Sequence, residues 1–94
     1  MRAWLIRRSE MDDAAVAARV ALADVLAKQS KFPDALDQLQ QAIEQQPRSV
    51  MLYERVGDLE KSRGDPAAAQ QAYEKALEYS TDPAERKRLR ARLR

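Results

Sequence analysis

Ninety-four residues with a formal net charge of +2 allow one small domain or a few copies of a repeating unit, with little room for a second lobe. The chain has no cysteine and no histidine, which excludes a disulfide framework, thiolate metal sites and the commonest general base. Two glycines cannot write a dinucleotide fingerprint and no phosphate-cradling G-x-x-x-x-G-K-[ST] run occurs, so no cofactor and no metal is expected. Abundant alanine, against sparse β-branched and aromatic residues, favours an all-α protein.

The opening segment, residues 1–15, begins MRAWLIRR, far short of a secretory core or of the roughly 20 apolar residues a membrane span requires. The expectation for the chain as given is therefore cytoplasmic, without membrane insertion. Ser9, with Asp12 three residues on, suits the N-cap of a first helix running to about Gln29. Pro33 fits the first turn of a second helix to about Gln45, and Pro47 ends it. Ser49 can cap a third helix to Ser62, before Gly64 supplies a left-handed terminus. Asp65 and Pro66 open a fourth, through about Tyr79. Asp82, Pro83 and Glu85 sit at the N-cap, N1 and N3 positions of a capping box that opens a basic fifth helix.

The second helix carries an apolar stripe of Ala35, Leu36, Leu39, Ala42 and Ile43 at helical spacing. The fourth carries Ala69, Tyr73, Ala76 and Leu77, each 34 residues after Ala35, Leu39, Ala42 and Ile43. The same offset pairs Val16 with Val50, Leu22 with Val56, Ala23 with Gly57, Asp24 with Asp58 and Glu44 with Glu78. The chain thus divides into repeats at 16–49 and 50–83 and a basic terminal helix at 84–94. Small residues at 23, 57, 35, 69, 42 and 76 let helix backbones approach closely while bulkier neighbours fill the gaps.

A 34-residue period of paired antiparallel helices resembles the tetratricopeptide repeat family. In the first unit Leu22, Ala23, Leu26, Phe32, Ala35, Leu39, Ala42 and Pro47 match signature positions, and in the second Tyr53, Val56, Gly57, Ala69, Tyr73 and Ala76 do. Arg19 and Glu60 depart from it, standing where large apolar and aromatic residues are usual, as do Pro66 and Thr81. The resemblance implies an α-solenoid of tandem hairpins that acts as a protein-protein interaction scaffold. It also implies a concave groove lined by the first helix of each unit, which receives a peptide or helix of a partner. Carried over residue by residue, that groove comprises Ala17, Val20, Asp24, Ala27, Lys28, Met51, Glu54, Asp58, Lys61 and Ser62. A subgroup of the family clamps a terminal carboxylate with Asn, Lys and Arg. This chain has no Asn and places Asp24 where an amide would be needed, so a basic or amphipathic ligand suits the groove better. The alternative is that Asp24, Glu54 and Asp58 form an ordinary solvated helix face.

The tail holds six basic residues and one acid. Arg86, Arg90 and Arg94 form one ladder at a four-residue spacing and Arg88 and Arg92 another, with Leu89 and Leu93 between. Like charges so placed oppose helix formation by about 0.2–0.5 kcal/mol per pair, so something should compensate. Two readings compete: a capping helix that seats its leucines on the last repeat, or an anion-binding helix for nucleic acid or an anionic surface. Missing aromatic interleaving and a thin apolar seam disfavour nucleic acid and membrane insertion. Trp4, Leu5 and Ile6 form an apolar cluster ahead of the first repeat, and the face of Val16, Val20 and Ala27 beside them is expected to lack a cover. A homodimer through this N-terminal segment, or an internal cap made by it, would supply one. Same-face carboxylates such as Asp34 and Asp37 do not converge with any nucleophile, so an enzyme is not expected.

Overall fold

A computed structural model describes residues 2–93, with side chains described from Asp13 to Leu93. Five helices make up these residues: α1 (Arg2–Lys28), α2 (Phe32–Gln45), α3 (Val50–Arg63), α4 (Pro66–Tyr79) and α5 (Pro83–Arg92). The all-α architecture of tandem antiparallel hairpins is as the sequence implies. The helices pack on their neighbours in sequence, most intimately within the pairs α1 with α2 and α3 with α4, less between α2 and α3 and least between α4 and α5.

Ser9 does not begin α1, which extends unbroken to Arg2. No Gly or Pro stands between residues 2 and 28, and an interior Ser or Asp lowers helix propensity too little to stop propagation. The contribution of Ser9 and Asp12 as capping side chains lies outside the described residues, as does that of Trp4, Leu5 and Ile6. At the other end α1 stops in a left-handed residue that is not glycine: Ser30 has φ 60°, and Lys31 N–H donates to Leu26 O at 2.9 Å. The same geometry recurs 34 residues later, where Gly64 has φ 92° and Asp65 N–H donates to Glu60 O at 2.8 Å. Both hairpin turns are thus Schellman caps, one built on glycine and one tolerated on serine.

The expected caps of α3 and α4 form: Ser49 Oγ accepts from Leu52 N–H at 3.4 Å and Asp65 Oδ1 from Ala68 N–H at 3.1 Å. At α5 the box is altered. Asp82 Oδ1 accepts from Ala84 N–H at 3.2 Å, but Glu85 turns aside and accepts from the buried Ser80 hydroxyl at 2.7 Å.

Two apolar clusters hold the molecule together. The larger joins Val16, Val20 and Ala23 of α1, Ala35, Leu39, Ala42 and Ile43 of α2, and Leu52 of α3. The smaller joins Ala69, Tyr73 and Ala76 of α4 to Leu89 of α5. The stripes at the 34-residue offset are therefore core in both hairpins, with Ala35, Ala42 and Ala76 fully enclosed at the helix crossings. Val16 and Val20 are core residues, so the face they were expected to leave bare is covered by α2 and α3. No helix among the described residues is long and apolar enough to cross a membrane.

Candidate functional site

Helices α1, α3 and α5, the first members of successive units, are linked side by side by carboxylate–guanidinium pairs. Arg55 Nη1 of α3 donates to Asp24 Oδ1 and Oδ2 of α1 at 2.6 and 2.7 Å. On its other flank, α3 offers Glu54, whose side chain is only 13% exposed. Arg88 of α5 grips it with two parallel bonds, Nε to Oε2 at 3.2 Å and Nη2 to Oε1 at 2.9 Å, a fork that a lysine could not make. Arg92 adds Nε to Glu54 Oε2 at 3.2 Å and a bond from Nη1 to Asp58. Asp58 in turn accepts from the Tyr73 hydroxyl at 2.5 Å. Burial pushes the Tyr73 phenol above its ordinary value, and its hydrogen bond to Asp58 pushes the same way.

Between α3 and α5 lies an open cleft of about 420 Å³ lined by Met51, Glu54, Arg55, Asp58, Arg88 and Arg92. Of the ten groove positions expected from the resemblance, Met51, Glu54 and Asp58 line this cleft. Asp24 borders it through its ion pair with Arg55. Ala17, Lys28 and Ser62 are exposed, while Lys61 lines a smaller neighbouring cavity of about 200 Å³ with Pro66, Ala69, Gln70, Tyr73, Arg92 and Leu93. Val20 does not belong to the groove: at 8% exposure it is part of the core, and Ala27 is half-buried against the same core. Both lie on the side of α1 that α2 and α3 cover.

The field of the groove also differs from the expectation of a bare acidic surface. Asp24 of α1 is neutralised by Arg55 of α3, and Glu54 and Asp58 of α3 by Arg88 and Arg92 of α5, which makes the cleft a mixed-charge surface rather than an anionic one. Sequence reasoning missed Arg55 because its partner Asp24 lies 31 residues back, about one repeat, which is the separation that places two first helices side by side.

The tail arginines expected to bind anions are mostly spent inside the molecule. Arg86 Nη1 donates to Leu77 O at 2.6 Å and Ser80 O at 3.0 Å, so its cation closes the C-terminus of α4, whose last turn holds no basic residue of its own. Arg88 and Arg92 are paired as above. Among the described residues, Arg90 and Lys87 remain exposed to solvent; Arg94 lies outside them. The like-charge ladder is thus compensated by Glu54, Asp58 and two carbonyls, and Leu89 seals the α4 stripe with no exposure at all.

No curated protein matches the chain. Among solved structures it is similar to protein BPP2914 from Bordetella parapertussis, determined in solution. The TM-score is 0.68 at 26% identity, covering 89% of this chain and 82% of that one. A family model described as a tetratricopeptide repeat-like domain matches residues 2–94. With its paired helices, its 34-residue recurrence of core positions and this match, the chain belongs to the tetratricopeptide repeat-like family.

Proposed function

We propose that the protein is a non-catalytic interaction scaffold whose concave cleft between α3 and α5, continued along α1, holds a peptide or helix of another protein. Domains of this family generally serve as scaffolds rather than catalysts. The observation that carries the reading is the composition of the cleft: Met51, 45% exposed, stands beside ordered carboxylates and guanidiniums held by one another. A methionine adapts to differing apolar side chains, while a pre-ordered array of both charge signs selects for complementary charges at little entropic cost. The ligand that fits is an amphipathic segment with an apolar anchor over Met51 and flanking charges of both signs. Binding of nucleic acid or an anionic surface by α5 is disfavoured, because an anion would have to compete with Glu54 and Asp58 for Arg88 and Arg92.

Affinity capture with the intact chain, compared with Met51→Asp and Met51→Lys, tests the groove, since Met51 is half exposed and belongs to neither apolar cluster. Loss of captured proteins in the variants, with unchanged circular dichroism, is the expected outcome. Equal capture by variants and parent would place the binding surface elsewhere. Salt-sensitive binding of the parent to short DNA duplexes would instead favour α5 as an anion site.

A further inference from the structure

The outer face of α1 is apolar and bare. Leu22 is 45% exposed and Val25 51%, and Ala14, Ala18 and Ala21 beside them are exposed as well. Their counterparts 34 residues later have the opposite fate. Ala18, Leu22 and Val25 correspond to Leu52, Val56 and Leu59, and those three dock α3 on the first hairpin, Leu52 with no exposure. The face of α1 is therefore the same docking surface one step earlier, without its cover. A cleft of about 310 Å³ runs beside it, lined by Ala15, Ala18, Arg19, Leu22 and Gln38.

The nearest segments of the chain do not supply the missing cover. Between the hairpins the chain turns at residues 46–49, whereas the corresponding stretch of the first unit is uninterrupted helix that continues to Arg2, so it does not fold back over this face. Among the described residues at the far end of the array, α5 exposes Lys87 and Arg90, a poor complement for an apolar stripe. That argues against head-to-tail stacking of copies. The stripe is instead suited to meet itself. From Ala14 to Val25 the charged residues are Arg19 and Asp24, and both are drawn aside: Arg19 Nη1 donates to Gln38 Oε1 at 3.2 Å and Gln41 Oε1 at 2.7 Å, and Asp24 accepts from Arg55 of α3 at 2.6 Å. A two-fold contact puts like groups opposite one another, which is tolerable where the seam is uncharged, and alanines at successive turns let two helix axes come within about 8 Å.

We infer that α1 is a homodimerisation surface, pairing with α1 of a second copy across a two-fold axis through Ala14, Ala18, Ala21, Leu22 and Val25. Sedimentation equilibrium of the intact chain over a hundredfold concentration range should show a monomer–dimer equilibrium, and Leu22→Glu should weaken it at least tenfold while leaving the circular dichroism spectrum unchanged and removing the concentration dependence of the melting temperature. Because the chain has no cysteine, Ala18→Cys, Ala21→Cys, Val25→Cys and Met51→Cys can be oxidised one at a time. Disulfide-linked dimers should form at the α1 position nearest the axis, fall off along the helix, and be absent for Met51→Cys on the concave side. A parent that stays monomeric throughout, or cross-linking at Met51→Cys equal to that on α1, overturns the inference; the first result would leave this face to a helical hairpin of a different chain.

Discussion

The Tyr73 ring packs on Gly57 so closely that a Cβ on residue 57 would sit 2.5 Å from Tyr73 Cε1. Gly57 on α3 thus leaves the space that the buried Tyr73 ring of α4 occupies. In an exposed helix interior Gly→Ala gains up to about 1 kcal/mol. Here Gly57→Ala should instead destabilise by about 1–3 kcal/mol, because the buried ring must move. Urea denaturation should show that Tyr73→Leu in the Gly57→Ala background recovers part of the loss; additive effects of the two changes would mean that the ring and residue 57 do not compete for space.

Leu89 is the single fully buried side chain of α5. Leu89→Ala should cost about 2–3 kcal/mol of α5 docking, toward the lower end for a leucine truncation because a short terminal helix can shift to close the cavity. Hydrogen exchange reads this locally: amides of α5 should lose protection while those of α2 keep theirs. Ending the chain at Pro83 should go further, lowering the melting temperature and promoting association through the uncovered Ala69, Tyr73 and Ala76.

Ser30 occupies a left-handed conformation that glycine takes freely, as Gly64 does at the equivalent turn. Ser30→Gly should therefore stabilise the protein by about 0.5 kcal/mol, the relief of strain outweighing the added freedom of the unfolded chain. A lower denaturation midpoint for the variant would show that the first turn is not strained.

The pH dependence of stability follows from Tyr73. Its folded-state pKa is raised, chiefly by burial, so the neutral hydroxyl is the form the fold prefers. Its stabilising contribution is whole below the unfolded value, about 10 for tyrosine, and is lost as pH climbs from there through the raised folded value. Urea midpoints should fall above about pH 10 in the parent and less steeply in Tyr73→Phe, in step with a delayed rise of tyrosinate absorbance. Tyr53, which burial also raises, contributes to the slope that remains in the variant with the same sign.

What could be read in the residue order was whatever obeys a local rule. The stripes of α2 and α4, the Gly64 cap, the Pro66 and Pro83 starts and the small residues at 23, 42 and 76 all follow from periodicity or backbone sterics, and all stand. The start of α1 was misplaced because a Ser with an acid three residues on marks a helix end only where something halts propagation upstream. Glu85 was assigned the amide of its own N-cap, yet a buried hydroxyl five residues back offered a better partner. The candidate site was half legible. The resemblance implies Met51, Glu54 and Asp58 as members of one groove, but the arginines that answer the two carboxylates sit a full repeat away. A ladder of like charges on α5 therefore looked repulsive when its partners were on α3.

That every helix packs chiefly on a neighbour in sequence has a kinetic meaning. Contacts span little more than one hairpin of sequence, so few long loops must close before favourable burial begins, and the chain should fold on the fast side of the two-state range. Assembly can start in either hairpin and spread, and unravelling should begin at the tail, which Leu89, Leu93, Glu85 and three guanidiniums hold to the rest.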